Sequence, residues 1–132
     1  MLSRAHRFHG LGSLNFVYRQ GQTVRSAGLS LKFIRNPKRQ TYRAAAVISR
    51  KVQKSAVRRN RIRRRIYEIV RTRQADISQP YDLVFSVFNE QLAEIETLKL
   101  QRIVQELLEK AGVIASPKPP ERDIVKSERE RS

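Results

Sequence analysis

Between Met1 and Tyr67 the chain carries eighteen Lys or Arg and not one Asp or Glu; the first acid is Glu68. Residues 68–132 hold ten cations against twelve acids, and the whole chain stands at +16. Any fold built from the first half must keep its cations at the surface or borrow counter-ions from the second half. A surface of that kind suits a polyanion, nucleic acid first and an anionic membrane second. Acids placed among phosphate-facing cations would weaken binding and lower counterion release, so their exclusion from half the chain is itself a signal.

The same distribution excludes chemistry. Divalent-metal nucleases gather carboxylates around their ions, and here half the chain has none. The 132 residues include no cysteine, which removes disulfides, thiolate metal sites and a cysteine nucleophile. The two histidines, His6 and His9, stand near one end and read as surface residues. No catalytic residue and no metal site is assigned to the chain. No run of about 18 apolar residues is present, and the start lacks the apolar stretch of a secretory signal. The expected location is the cytoplasm, with no membrane and no obligate protein partner.

Hydrophobic periodicity gives the organisation. Ser13 is placed to cap a helix over Leu14–Gln20 that Gly21 would stop. Val24–Ile34 reads as one extended run, with alternating apolar residues from Leu29 to Phe33. Asn36-Pro37-Lys38 is a turn, and Tyr42–Ser49 a second, more buried strand. Lys54–Arg73 is a helix whose Ile62, Ile66, Ile69 and Val70 form one core-facing stripe. Asn60, Arg64, Tyr67 and Arg71 fall on its other side. Tyr81–Phe88 is a third strand, apolar enough for burial on both faces. Leu98–Ala111 is the last helix, with Gly112 as its C′ residue. Residues 1–115 read as a single RNA-binding domain. Residues 116–132, rich in Pro and mixed charge, read as a disordered or loosely attached tail. The order α-β-β-α-β-α predicts a small α+β domain, one sheet covered by helices.

The basic helix carries the functional signal. From Arg58 to Arg65 six of eight residues are Arg. A guanidinium offers five donors in a planar fork that grips phosphate and stacks on bases. Asn60 adds an amide able to meet a base edge or a ribose. Glu68, three and four residues beyond Arg65 and Arg64, is placed to orient one of those guanidinium groups. The expected RNA-binding set is Arg50, Lys51, Lys54, Arg58, Arg59, Asn60, Arg61, Arg63, Arg64, Arg65, Tyr67 and Arg71.

Arg59-Asn60-Arg61-Ile62-Arg63-Arg64, followed by Glu68 and Arg71, resembles the RNR signature of the bacterial ribonuclease P protein component. Ser49-Arg50-Lys51 and Ala56-Val57 match the approach to that signature. Phe16-Val17-Tyr18-Arg19-Gln20-Gly21 resembles the family's first helix, and Tyr81-Asp82-Leu83-Val84-Phe85 the strand after the basic helix. Arg63 stands where the family usually has Lys, and Tyr67 where it often has Arg. The resemblance implies an α-β sandwich of the kind seen in the second domain of ribosomal protein S5, with a left-handed βαβ crossover. It also implies an accessory role. A large RNA performs the cleavage with Mg2+ that the RNA mainly binds. The protein holds that RNA and the single-stranded 5′ leader of precursor tRNA, whose removal gives the mature 5′ end. The chain alone would be inactive.

Single strands are held by cationic grooves with aromatic platforms. Phe16, Tyr18, Arg19, Lys32 and Tyr42 are the expected leader-binding set, while Phe33, Tyr81 and Phe85 read as core. Three other readings stay open on residues alone. A structural RNA-binding protein of ribosomal type would bind without supporting turnover. A DNA-binding helix would present more varied side chains to bases than this arginine run. A protein-only nuclease would need the missing carboxylates.

Overall fold

The computed structural model describes residues 4–8 and 11–115. Its centre is a four-stranded sheet of β1 (Gln22–Ser26), β2 (Leu29–Arg35), β3 (Arg43–Ile48) and β4 (Tyr81–Val87), in spatial order β1-β2-β4-β3. β2 pairs antiparallel with β1 and β4, and β3 pairs parallel with β4. Three helices accompany it: α1 (Leu11–Gln20), α2 (Ala56–Thr72) and α3 (Thr97–Lys110). α2 is thus the crossover of a βαβ unit between neighbouring parallel strands.

The α+β class and the helix-covered sheet match the expectation, with one strand more. The single extended run divides at Ala27 and Gly28, both at positive φ (43° and 84°). Two consecutive positive φ values are what a tight two-residue hairpin demands. Ala-Gly is a weaker turn signal than Asn-Gly, which is why the alternation reads straight through it. α1 also begins ahead of Ser13, whose hydroxyl accepts from Arg43 (3.4 Å). The expected tail, 116–132, and His9 lie outside the described residues.

Alternation along the strands separates two faces. Leu29, Leu31, Ala44, Ala46, Ile48, Leu83, Phe85 and Val87 join the main core. Ile62, Ile66, Ile69 and Val70 of α2, and Leu100, Ile103, Val104, Leu107 and Leu108 of α3, pack onto that face. Both apolar stripes are therefore buried as their spacing predicts. At about 1.5–3 kcal/mol for each such side chain, this layer is the main source of stability.

The opposite face carries α1, which packs on β2 and β4. Val17 and Val84 are fully buried yet stand apart from the main core. The strand register aligns Thr23, Lys32, Val84 and Ala45 in one row on this face, and Arg25, Ser30, Ser86 and Val47 in the next. Gly21 ends α1 by donating its N–H to Val17 O (2.7 Å), and a Cβ there would come within 2.6 Å of that oxygen.

Candidate nucleic-acid interface

Ser55 starts α2 by accepting from the Arg58 N–H at 3.3 Å. The first turn that follows holds Arg58 and Arg59 and no acid. Cations there oppose the positive end of the helix dipole, an arrangement that an external anion relieves. Arg50, Lys51, Lys54, Ala56 and Arg59 line an open concavity of about 500 Å³ beside that turn. Asn60, Arg63, Arg64 and Tyr67 line a second, of about 270 Å³, further along the helix.

The structure sorts the arginines that composition treats alike. Arg59 donates to the carbonyls of Gln53 and Lys54 (2.9 and 3.0 Å) and ties the preceding loop to the helix. Arg58 pairs with Glu94 at 3.1 Å. Arg65 turns away from the outer face and donates to the carbonyls of Leu92 (2.7 Å) and Ile95. Burial, then the neighbouring Arg61 charge, lowers its pKa, with Glu94 acting the other way. Of the expected RNA-facing cations it is the one committed inward, as a staple between α2 and the Glu90–Ala93 turn.

Tyr67, which lines the second concavity, is anchored from behind. Its hydroxyl accepts from the Ala46 N–H at 3.0 Å, and the ring is half-buried against the core. Arg63 Nε donates to Ala46 O at 3.2 Å. β3 is an edge strand, so Tyr67 and Arg63 together satisfy the Ala46 peptide groups, which β4 cannot reach. Glu68, expected to orient Arg64 or Arg65, takes Arg71 instead, with Nη2 to Oε2 at 2.5 Å. That hydrogen bond holds the Glu68 carboxyl below the usual range and the Arg71 guanidinium above it. Asn60 Oδ1 accepts from Arg63 Nη1 at 2.6 Å, which leaves the amide NH2 outward. Arg61 and Arg64 are both exposed on the outer side, and neither has a hydrogen bond or ion pair to another described residue. With Arg50, Lys51 and Lys54 they are the cations most available to an external phosphate.

The expected leader set is only partly brought together. Phe16 and Tyr18 are each 40% exposed on α1, but, two residues apart, they project to opposite flanks of the helix on either side of the buried Val17; Arg19 is exposed as well. Lys32 lies on the same face of the sheet, level with Val84. Tyr42 does not join them. It is 2% exposed, stacks on His6 at 4.1 Å, and donates its hydroxyl to Gln74 Oε1 at 3.0 Å. Burial pushes its phenol up to about 12, against a smaller opposing effect of Arg71. Tyr42 alternates with Ala44, Ala46 and Ile48, and that period-two pattern is the signal that it belongs to the core.

Sequence reasoning also missed the group that anchors α1. Arg43 and Asp82 form a buried ion pair at 2.8 Å on the α1 face. Asn36 Nδ2 donates to Asp82 Oδ2 at 3.0 Å, and the Arg43 guanidinium lies 4.5 Å from the Phe8 ring centre. The only trace of the pair in the sequence is one acid inside an otherwise apolar strand.

The family model for Ribonuclease P matches residues 2–112. The chain belongs to the ribonuclease P protein family. It is 36% identical over 124 residues to the ribonuclease P protein component of Roseiflexus castenholzii, covering 92% of this chain and 100% of that one. The Staphylococcus aureus RNase P protein superposes with a TM-score of 0.74 at 22% identity, covering 84% of this chain and 99% of the other. A mutant of the S. aureus protein with defective mRNA degradation activity gives 0.75 at 22% identity, over 84% and 92%. The Thermotoga maritima RNase P protein gives 0.70 at 20% identity, over 79% and 96%. At these identities the solved structures establish the fold. Family membership places the chain among RNA-binding subunits that serve tRNA 5′-end processing. No helix among the described residues is long and apolar enough to cross a membrane.

Proposed function

We propose that the chain binds the catalytic RNA of ribonuclease P through the outer side of α2 and its preceding loop, and the 5′ leader of precursor tRNA through the α1 face. The observation that carries this reading is the pair of surfaces itself. One presents Arg50, Lys51, Lys54, Arg61 and Arg64 beside two open concavities. The other presents exposed aromatics on the two flanks of α1, Phe16 on one and Tyr18 on the other, with Arg19 on the helix and Lys32 on the sheet beneath it. The first suits the phosphates of a folded RNA; the second suits unpaired bases.

In this reading the RNA performs the cleavage, with Mg2+ carried mainly by the RNA, in the cytoplasm. Among the described residues no group of three or more His, Cys, Asp or Glu is placed to hold a metal ion. What the protein supplies is positioning: cations that offset RNA repulsion, and a face on which the leader is retained.

The test is cleavage of precursor tRNA at low magnesium with catalytic RNA alone, chain alone, and both. Stimulation only in the combined sample supports the reading; cleavage by rigorously RNA-free chain overturns the accessory role. Tyr18→Ala is expected to lower the ratio of precursor to mature tRNA affinity in the holoenzyme. An unchanged ratio removes Tyr18 from the leader surface.

A further inference from the structure

α1 crosses the sheet near Phe33 and Arg43, and beyond it, toward the other end of the strands, the same face continues to a corner where the β1–β2 hairpin meets the end of β4. Arg25, Ser30 and Ser86 form a cross-strand row on the Lys32 side. Phe88 follows Val87, whose side chain is in the core, so alternation sends the Phe88 ring to the Ser86 side. That ring is 62% exposed. Arg25, Gly28, Ser30 and Phe88 share one open concavity of about 420 Å³.

The backbone beneath the ring is fixed. The Phe88 N–H donates to Gly28 O at 2.8 Å. Gly28 stands at φ +84°, and a Cβ on it would fall 2.6 Å from Asn89 Cβ. Asn89 in turn accepts from the Gln91 N–H at 2.9 Å. The nearby acid Glu106 is tied to Ser26 (2.6 Å) and paired with Lys110 (3.4 Å). The corner therefore offers a large exposed ring on a locked backbone and an exposed cation, with the buried Ser30 in its floor.

We propose that Phe88 and Arg25 form a second subsite for single-stranded RNA, stacking a base and holding a phosphate where the leader path continues along β4 from Lys32. The inference rests on the leader reading above and deepens it. Continuity with the α1 face and the positive charge of Arg25 favour RNA over a protein occupant. Phe88 is four residues beyond Val84, about 13 Å at the rise of a β-strand. Only leaders that run past the α1 face reach it.

The experiment uses the reconstituted holoenzyme and precursor tRNAs with a graded series of leader lengths. For the native chain, affinity rises with leader length. Phe88→Ala is expected to cost about tenfold, on leaders long enough to pass the α1 face and not on the shortest. Phe88→Trp retains the gain. Arg25→Gln lowers the salt slope by roughly 0.7 on the same long leaders. Because Phe88 is exposed, the variants keep the fold, which thermal melting verifies. If Phe88→Ala changes nothing while the native chain still gains with length, this subsite is wrong and the leader reading stands. If the native chain gains nothing with length, the leader reading fails and this subsite with it. An equal loss on leaderless tRNA overturns the subsite in favour of the tRNA body, and a changed oligomeric state overturns it in favour of a protein contact.

Discussion

Arg43 grips Asp82 with two parallel hydrogen bonds, Nε to Oδ1 at 2.9 Å and Nη2 to Oδ2 at 2.8 Å, across 39 residues of chain. The side chains are 7% and 0% exposed. The same guanidinium reaches Ser13 of α1 and lies against Phe8, so one buried cation joins the N-terminal segment, α1, β3 and β4. Removing one partner leaves the other charged and buried, which costs about 3–5 kcal/mol. Asp82→Ala is therefore expected to lower unfolding free energy by that amount in urea titration. Replacing both residues by apolar ones of similar volume should cost less than either single change. A single change that costs under about 1 kcal/mol would show that the pair does not hold α1.

Arg61 and Arg64 should behave differently from Arg65. The first two have no hydrogen bond or ion pair to other described residues, whereas Arg65 donates to Leu92 O and Ile95 O. Arg61→Ala with Arg64→Ala should leave the melting temperature unchanged. The same double change should flatten the salt dependence of binding to the catalytic RNA by roughly 0.7–0.9 for each phosphate no longer neutralised. Arg65→Ala should do the reverse, costing about 1–3 kcal/mol of stability because buried carbonyls lose their donors. Equal loss of RNA affinity in all three would return Arg65 to the outer face.

Tyr42 gives a pH signature. Its folded pKa is raised to about 12 from the ordinary 10.0. The folded state thus keeps a proton that the unfolded chain releases, and the stabilisation is complete below pH 10. It is lost as the pH climbs from about 10 to 12, by an amount on the order of 2 kcal/mol. Tyr42→Phe lacks this component and the bond to Gln74, which is worth about 1 kcal/mol. Denaturant titrations of the two proteins across the alkaline range should converge as the native chain weakens; parallel curves would contradict the burial of the phenol.

Gly28 and Gly112 separate strain from collision. Both have positive φ, +84° and +75°. A methyl group on Gly112 would meet nothing within 4 Å, so Gly112→Ala should cost only the left-handed backbone, about 1–2 kcal/mol. Gly28→Ala should cost more, because its Cβ would meet Asn89 Cβ at 2.6 Å. Thermal melts of the two variants check the order.

The sequence alone determined what repeats along the chain or stands together in it. Ile62, Ile66, Ile69 and Val70 announce a helix face because burial selects residues at helical spacing. The acid-free stretch before Glu68 announces a polyanion partner because charge sums over a surface whatever the fold. The RNR run and its flanking strands are contiguous, so the family was legible too. Only the tertiary structure decided matters that depend on who meets whom across the sheet. Arg64 and Arg65 are adjacent and chemically identical, yet one is free for an outside phosphate and the other caps carbonyls of a turn 27 residues away. Tyr18 and Tyr42 both sit among cations, yet alternation with Ala44 and the bond to Gln74 draw Tyr42 inside. A guanidinium or a phenol takes its role from the partner it finds. Partners distant in the chain are brought together only when strands pair and helices pack, which is why Arg43 and Asp82 gave no warning of each other.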